Sequence, residues 1–390
     1  MVREQNIYGQ EKTLRWARPR RPALAFSPRP RYIRRMRPPA VFSRFLRRRV
    51  DPVLERVIRF GVQLEIRDPV RWSLAAHRRD ALRLTTAEFA PRAQLLGELV
   101  AARDPEAITR YDALVHEAVN HMRDLRPSDG GAVTAVCDAI DRRLYRNAPE
   151  LLDDPAFPAD ARARGLDGLH RLNELLGTYE AFLQALMPLI EAAEERGRWP
   201  VRIHDLAAGH AGFAVFLKQR LGERILVEAS DIQDEYLELG RGRARELGVE
   251  VDFFVEDALA IDGPRRRGVD ILLCTQSIHH FPPGMVARMI GEAARAATTG
   301  VLFADAERSW LFCAAVGAIG ALHGRSWVLA HDGMVSLRRM FYEEELGLLA
   351  TLAPCVPVKA RVETGTFLPA HTYVRITHAG TDEHRSGMSG

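Results

Sequence analysis

Between residues 199 and 306, short apolar runs alternate with amphipathic segments in a regular order. The apolar runs predict strands at 201–206, 224–231, 251–255, 270–275 and 300–305, and the intervening segments predict helices at 213–221, 236–247 and 283–297. Strands and helices that alternate at this spacing predict an α/β fold with a doubly wound, mostly parallel sheet. Ligands of such sheets bind beyond the carboxyl ends of the strands, and functional residues are expected there.

Three acidic residues, Asp205, Asp231 and Asp257, follow predicted strand ends. The first is followed by a loop of small residues at 207–212, which lets the backbone approach a ligand closely at the start of a helix. Asp231 is placed to accept hydrogen bonds from ribose hydroxyls, and Ala258 to border an adenine. Two cofactors fit this pattern, NAD(P) and S-adenosylmethionine.

Two observations argue against NAD(P). The carboxylate of Asp205 lies in the turn itself, where it would repel a pyrophosphate but would suit a ligand with a cationic amino acid part. A short-chain reductase would also place a tyrosine four residues before a lysine. Those positions hold Ala214 before Lys218 and Cys355 before Lys359.

The strand-end sequences resemble those of class I S-adenosylmethionine-dependent methyltransferases, which have a Rossmann-like fold. The resemblance covers about residues 165–380, and its motifs are HDLAAGHAG at 204–212, EASDI at 228–232, FVEDA at 254–258, TQSIHHF at 275–281 and HDGMVSLRR at 331–339. It implies that the cofactor is contacted by Asp205, Ala207, Gly209, Gly212, Asp231, Ile232, Asp257, Ala258 and Gln276. The sequence departs from the family pattern at Ala207 and Ala211, where glycines are usual, and His210 is unusual.

The candidate catalytic residues follow the fourth and fifth predicted strands. His280 and His279 are candidates for a general base, or else they only pack within their loop. Asp305 and Arg308 are expected either to orient a substrate or to form an internal ion pair. His331 and Asp332 are expected either to cover the pocket or to form an ordinary turn. No metal site is predicted, because the pair His116 and His121 lacks the spacing of a zinc helix.

The region before the sheet, residues 51–198, predicts a helical N-terminal extension. Apolar residues from Leu166 to Ile190 share one face at helical spacing and predict a single long helix that packs against the sheet domain. The methyltransferase domain is expected at 199–380 and a flexible tail at 381–390. The longest apolar run, 310–322, is too short for the roughly 20 residues of a transmembrane helix.

The charge of the chain is unevenly distributed. Residues 1–50 hold 15 basic and two acidic residues, whereas the rest of the chain has a net charge of −9. The first 50 residues are therefore expected to be a disordered Arg/Pro-rich leader, with a polyanion-binding arm, a targeting peptide and a membrane-surface contact as alternatives. The acidic body argues against nucleic acid as a partner. Four widely spaced cysteines are typical of a reducing compartment and favour a cytoplasmic location.

The resemblance implies methyl transfer from S-adenosylmethionine to an oxygen or carbon of a small apolar or aromatic metabolite. The apolar stretch at 311–322 is a candidate wall of the acceptor pocket or a buried packing helix. Two alternatives stay open. One is an RNA or protein methyltransferase anchored by the basic leader, and the other is a non-catalytic scaffold that binds the cofactor. The sequence does not predict an oligomeric state.

Overall fold

The computed structural model describes residues 68–127, 131–154, 156–259, 268–323, 327–367 and 370–379. The predicted leader at 1–50, the first part of the predicted helical extension at 51–67 and the predicted tail at 381–390 lie outside the described residues. Within the described part of the chain, every helix is too short or too polar to cross a bilayer.

The centre of the fold is a seven-stranded sheet with the order β3-β2-β1-β4-β5-β7-β6. Its strands are β1 (Val201–Asp205), β2 (Ile225–Asp231), β3 (Asp252–Val255), β4 (Ile271–Thr275), β5 (Gly300–Ala306), β6 (Arg361–Phe367) and β7 (His371–Thr377). The first five are parallel, and β7 pairs antiparallel with both β5 and β6. The predicted Rossmann-like, mostly parallel sheet is confirmed, and each of the five predicted strands begins and ends within one residue of the observed one.

Eleven α-helices surround this sheet in the described part of the chain. They are α1 (Pro69–Ala101), α2 (Pro105–Asp124), α3 (Ala132–Leu144), α4 (Ala159–Leu176), α5 (Thr178–Glu195), α6 (Gly212–Leu221), α7 (Asp234–Leu247), α8 (Pro283–Ala296), α9 (Trp310–His323), α10 (Trp327–Arg339) and α11 (Glu343–Leu352). Asp68 and Asp104 begin the first two by accepting hydrogen bonds from the backbone N–H groups of Val70 and Ala107, each at 2.8 Å.

The prediction of one long helix from Leu166 to Ile190 is wrong. Gly177 takes a left-handed conformation with φ of 70° and separates α4 from α5. Glycine adopts this conformation without steric cost, which makes it a common residue at helix C-termini. The apolar spacing continues across the break, and the periodicity alone therefore concealed it.

The two faces of the sheet are covered by different parts of the chain. On one face, α1 and α2 belong to the same core cluster as α8 and α11, and Arg288 of α8 forms a two-point ion pair with Asp112 of α2. On the other face, Phe182 and Leu189 of α5 are completely buried against the sheet and α6. The region before β1 thus packs on both faces, and the domain boundary at 198 stays a prediction.

Candidate active site

The loop between β1 and α6 is held to the end of β2 by hydrogen bonds. The backbone N–H of Gly209 donates to Asp231 Oδ2 at 2.7 Å, and that of Ala208 donates to the Ser230 carbonyl at 2.8 Å. Ala207 and Gly209 both have positive φ, 48° and 55°. The loop therefore curls back over the sheet edge, and Ala207 adopts a conformation that glycine would adopt with less strain.

The carboxylate of Asp231 lies between two loops. Besides the contact with Gly209, its Oδ1 accepts a hydrogen bond from the Gln233 N–H at 2.9 Å. Burial raises the pKa of Asp231, and these backbone hydrogen bonds and the charge of His280 oppose the rise. The next side chain, Ile232, is 66% exposed. An acid with spare acceptor capacity beside an exposed apolar side chain fits a ribose with its attached base.

Asp205 ends β1 and is almost completely buried. Its Oδ1 atom has no hydrogen-bond partner among the described residues. Burial, and then the nearby charge of Asp231, raise the pKa of Asp205 well above its ordinary value. A buried acceptor without a donor is costly, and a ligand with an ammonium or N–H group would satisfy it.

Gly212 lies under a cluster of rings behind the loop. A Cβ atom at this position would meet the Tyr179 hydroxyl and would lie 2.9 Å from His170 Nδ1. Tyr179 and His170 are themselves hydrogen-bonded at 3.0 Å. Burial, and then the charges of Arg243 and His170, lower the pKa of His210 to about 3, and this ring is therefore neutral. The unusual His210 and the displaced glycine are thus parts of the packing of α4 and α5 against the loop.

The third candidate acid, Asp257, has a different environment. Its side chain is exposed, and its Oδ1 accepts a hydrogen bond from the Leu259 N–H at 2.9 Å. The adjacent Ala258 is buried, and the Glu256 N–H donates to the Asp231 carbonyl at 3.0 Å. The structure places this loop beside Asp231, with the Asp257 carboxylate used within its own turn.

Gln276 follows β4 with φ of 59°, and its N–H donates to the Ala304 carbonyl at 2.9 Å. Its side chain exchanges two hydrogen bonds of 2.8 Å with Asn173 of α4. The next residue, Ser277, donates to the Ala207 carbonyl at 2.6 Å. The loops after β1 and β4 are therefore joined directly, and α4 reaches across the edge of the sheet to meet them.

His279 lies between two carboxylates. Its Nδ1 donates to Asp305 Oδ2 at 2.8 Å, and its Nε2 lies 3.5 Å from Glu150 Oε1. Burial lowers the pKa of His279, but the charge and hydrogen bond of Asp305, and then the charge of Glu150, outweigh it and raise the pKa to about 9. The ring is therefore an imidazolium at neutral pH. A general base must begin in its unprotonated form, and His279 does not suit that role.

His280 differs from His279 in exposure and in its neighbours. Its side chain is about one-third exposed, and its ring centroid lies 4.3 Å from that of His279. Its Nδ1 lies 3.3 Å from Asp153 Oδ2 and 3.4 Å from Arg339 Nη2. His280 follows β4 and Asp231 ends β2, and both therefore lie at the carboxyl edge of the parallel strands.

Arg308 is buried and forms an ion pair with Glu345 at 2.9 Å. The structure therefore supports the interpretation that Arg308 belongs to an internal ion pair. The stretch with His331 and Asp332 is not a turn, since both residues lie inside α10. Asp332 accepts hydrogen bonds from the N–H groups of Leu151 and Leu152, both at 2.9 Å.

Ligand atoms of Glu150, His279 and His280 lie within 4.8 Å of one another, a spacing that a metal ion allows. A guanidinium is already present among them. Arg339 Nη2 is in close contact with Glu150 Oε1 and lies 3.8 Å from Asp153 Oδ2. Arginine stays protonated in proteins, and its charge supplies the cation that these acids require.

Sequence reasoning missed Glu150, Asp153 and Asn173, which lie outside the motifs, and it gave no role to Arg339, the last residue of the motif at 331–339. Asn173 is 103 residues from Gln276 along the chain. The Asp-Asp-Pro run that begins at Asp153 was the only local signal, because such a run favours a loop and loops are a common place for site residues.

Comparisons with known proteins find a matching family model and several similar solved structures. Residues 203–300 match the family model of a methyltransferase domain. The plantazolicin methyltransferase BpumL, solved in complex with SAH, is similar at 11% sequence identity with a TM-score of 0.45 over 68% of this chain and 100% of that chain. Magnesium protoporphyrin IX methyltransferase (ChlM) from Synechocystis PCC 6803 is similar at 17% identity with a TM-score of 0.34 over 50% of this chain and 83% of that chain. A SAM-dependent methyltransferase from Aquifex aeolicus is similar at 16% identity with a TM-score of 0.34 over 47% and 84% of the two chains. A comparison with curated proteins finds no match.

The family match runs from β1 to the first residue of β5 and contains the loops that carry Asp205, Asp231 and Gln276. The buried, unpartnered oxygen of Asp205 and the shared carboxylate of Asp231 fit an amino acid part and a ribose on one ligand. The cofactor is therefore S-adenosylmethionine, and residues 203–300 form a methyltransferase domain.

Proposed function

We propose that this enzyme methylates an oxygen or carbon atom of a small apolar or aromatic metabolite. The cofactor, when bound, supplies a methyl group that its sulfonium has already activated. The observation that supports the proposal best is His280, a partly exposed imidazole that follows β4 at the same sheet edge where Asp231 ends β2.

The residues that would hold the cofactor come from four loops. Asp231 would accept hydrogen bonds from the ribose hydroxyls, and Asp205 Oδ1 would accept one from the amino group. Ile232 and Ala258 would flank the adenine. The remaining contacts would come from the backbone of Ala207, Gly209 and Gly212, from Asp257 and from Gln276.

The chain would act on the acceptor chiefly by orienting it and by excluding water. Where the acceptor is a hydroxyl, its proton must leave during transfer, and His280 is the group proposed to take it. Asp305 would act indirectly, because its carboxylate is occupied by His279. Of the three catalytic candidates, His280 therefore keeps the role of base, and the other two support it.

The acceptor would lie against α9. The described side chains from Leu311 to Val316 are apolar, and all of them are half-buried or exposed. Phe312, Cys313 and Val316 pack on a small cluster that includes Leu337 and Met340 of the following segment. An apolar helix with part of its surface uncovered supports an acceptor with a large apolar or aromatic part.

The first test is calorimetric titration with S-adenosylmethionine, S-adenosylhomocysteine and NADH. We expect the first two to bind and NADH not to bind. Asp231→Asn should weaken binding of both about 100-fold, because two charge-assisted hydrogen bonds contribute about 3 kcal/mol together. Asp234→Asn is the matched control, an exposed acid three residues further along the chain. Equal losses in both variants would show that Asp231 has no specific role.

The second test is a screen of phenols, enols and aromatic acids with methyl-labelled cofactor. With an acceptor in hand, His280→Gln should lower kcat about 100-fold or more while leaving the Kd of the cofactor unchanged. If transfer to hydroxyl acceptors continues at the wild-type rate, His280 is not the base. If basic peptides or RNA are labelled instead, the alternative acceptor class is the correct one.

A further inference from the structure

We infer that Glu150 is a positioning residue for methyl transfer, which holds the His279 ring from the side opposite Asp305. The inference rests on the proposed function. It assigns part of the active site to the region before the sheet, since Glu150 belongs to the segment between α3 and α4.

The contacts of the His279 ring support this role. Asp305 Oδ2 accepts hydrogen bonds from Nδ1 at 2.8 Å and from the His279 backbone N–H at 3.2 Å, which fixes one edge of the ring. The other nitrogen, Nε2, is completely buried and has no hydrogen bond within the described chain. The Glu150 carboxylate, 3.5 Å away, is the acid on this side.

Glu150 is itself firmly anchored. Ser336 Oγ donates to its Oε1 at 2.6 Å, and Arg339 forms an ion pair with the same oxygen. Burial opposes ionisation, but the nearby charge of His279, and then His280 and Ser336, lower the pKa of Glu150 to about 2. The carboxylate is therefore charged at every physiological pH.

The backbone around Glu150 is fixed independently of its side chain. The N–H groups of Leu151 and Leu152 donate to Asp332 of α10, and the Leu152 carbonyl accepts a hydrogen bond from Tyr236 of α7 at 3.4 Å. The 150–153 segment thus crosses from α10 to α7 over the carboxyl edge of the sheet. Replacing the Glu150 side chain should leave this crossing in place.

The charges around His279 explain what Glu150 does for the reaction. The ring is close to the acids Asp305 and Glu150, and the neighbouring His280 is close to Asp153 and Arg339. An imidazolium held from both sides keeps its orientation and its proton. The His280 ring lies against the face of the His279 ring. His279 thereby holds His280 in the orientation that faces the acceptor.

The test is a pH titration of the His279 ring by NMR in protein labelled at histidine Cε1, with the signal assigned by its loss in His279→Gln. In Glu150→Gln, which is isosteric and keeps the Ser336 contact possible, we expect the His279 pKa to fall by about one pH unit or more. Asp154→Asn is the control, since this exposed acid of the neighbouring turn bonds only locally to the Ala156 N–H. It should leave the titration unchanged.

Activity gives the second readout. Glu150→Gln should lower kcat about tenfold with little change in the KM of the cofactor, and the alkaline limb of the kcat profile should move to lower pH. Glu150→Asp keeps the negative charge, and its kcat and the alkaline limb of its kcat profile should be close to those of the wild-type protein. The NMR titration needs neither cofactor nor acceptor, and it stands even if the proposed reaction is wrong.

Two results would overturn the inference. One is a His279 titration that is the same in Glu150→Gln as in the wild-type protein. The other is tight binding of Zn²⁺ or Mn²⁺ to the wild-type protein, lost in Glu150→Gln and accompanied by metal-dependent activity. That result would make the cluster a metal site, with Arg339 displaced from it.

Discussion

Gly212→Ala tests how the helices before the sheet shape the cofactor loop. The new Cβ atom would lie 2.9 Å from His170 Nδ1 and 3.2 Å from His210 Cε1, and it would be closer still to the Tyr179 hydroxyl. Tyr179 cannot move aside easily. Its ring is 2% exposed and packs against Phe213 and Phe216, with centroids 5.9 and 5.6 Å away.

The cost of the substitution has two parts. Carbon and oxygen atoms need roughly 3.5 Å between them, and forcing an extra methyl group into a packed site costs about 1–3 kcal/mol. Displacing Tyr179 also breaks its 3.0 Å hydrogen bond with His170, which contributes about 1 kcal/mol. We expect the free energy of unfolding to fall by about 2–4 kcal/mol and cofactor affinity to fall with it, since the loop must shift.

The assay is denaturant unfolding together with calorimetric titration of S-adenosylhomocysteine. Gly242→Ala in α7 is the control, because nothing lies within 4 Å of the added Cβ and alanine favours the helix by about 1 kcal/mol. Tyr179→Phe removes the oxygen that is closest to the new methyl group and should restore part of the loss in the double variant. A Gly212→Ala protein as stable as the wild type, or strictly additive effects in the double variant, would refute the steric argument.

Three further predictions concern other parts of the fold. Ala207→Gly should raise the free energy of unfolding by up to about 1 kcal/mol in chemical denaturation, because φ at this position is 48°; a loss of stability would contradict the assigned strain. The folded pKa of His279 is about 9 against an ordinary 6.5, so its contribution is complete below pH 6.5 and is lost between pH 6.5 and 9. Urea unfolding at pH 6 and pH 9 should show a fall about 3 kcal/mol larger in the wild type than in His279→Gln, and equal falls would contradict the assigned charge state. Arg288→Met removes the two-point ion pair with Asp112 and should cost about 2 kcal/mol in thermal or denaturant unfolding, whereas no change would show that this contact does not hold α2 on α8.

Much of the fold could be predicted because its signals are local. Strand lengths, the acids at strand ends and the small residues of the first loop all lie within windows of about ten residues. These windows sufficed for the five parallel strands and for the cofactor, whereas the antiparallel strands β6 and β7 were not predicted. The prediction of the α4–α5 region was wrong for a related reason, since apolar spacing continues through Gly177 and only its backbone conformation ends the helix.

The candidate site could be predicted only in part. Asp205 and Asp231 could be proposed as site residues because parallel strands bring their carboxyl ends to one edge, and Gln276 because of the family resemblance. The burial and the charged partners of each side chain could not be predicted from the sequence. His279 and His280 are adjacent in sequence, yet one is a buried imidazolium between two acids and the other is partly exposed.

The sequence by itself thus determined the alternation of the five parallel strands with their helices and the loops at the strand ends, because each depends on neighbours along the chain. Tertiary structure alone decided which acids face which histidine. Glu150 lies 129 positions before His279, and Arg339 lies 189 positions after Glu150. Charge state follows from burial and from such distant partners, and these exist only once α4, α10 and the sheet edge have packed together.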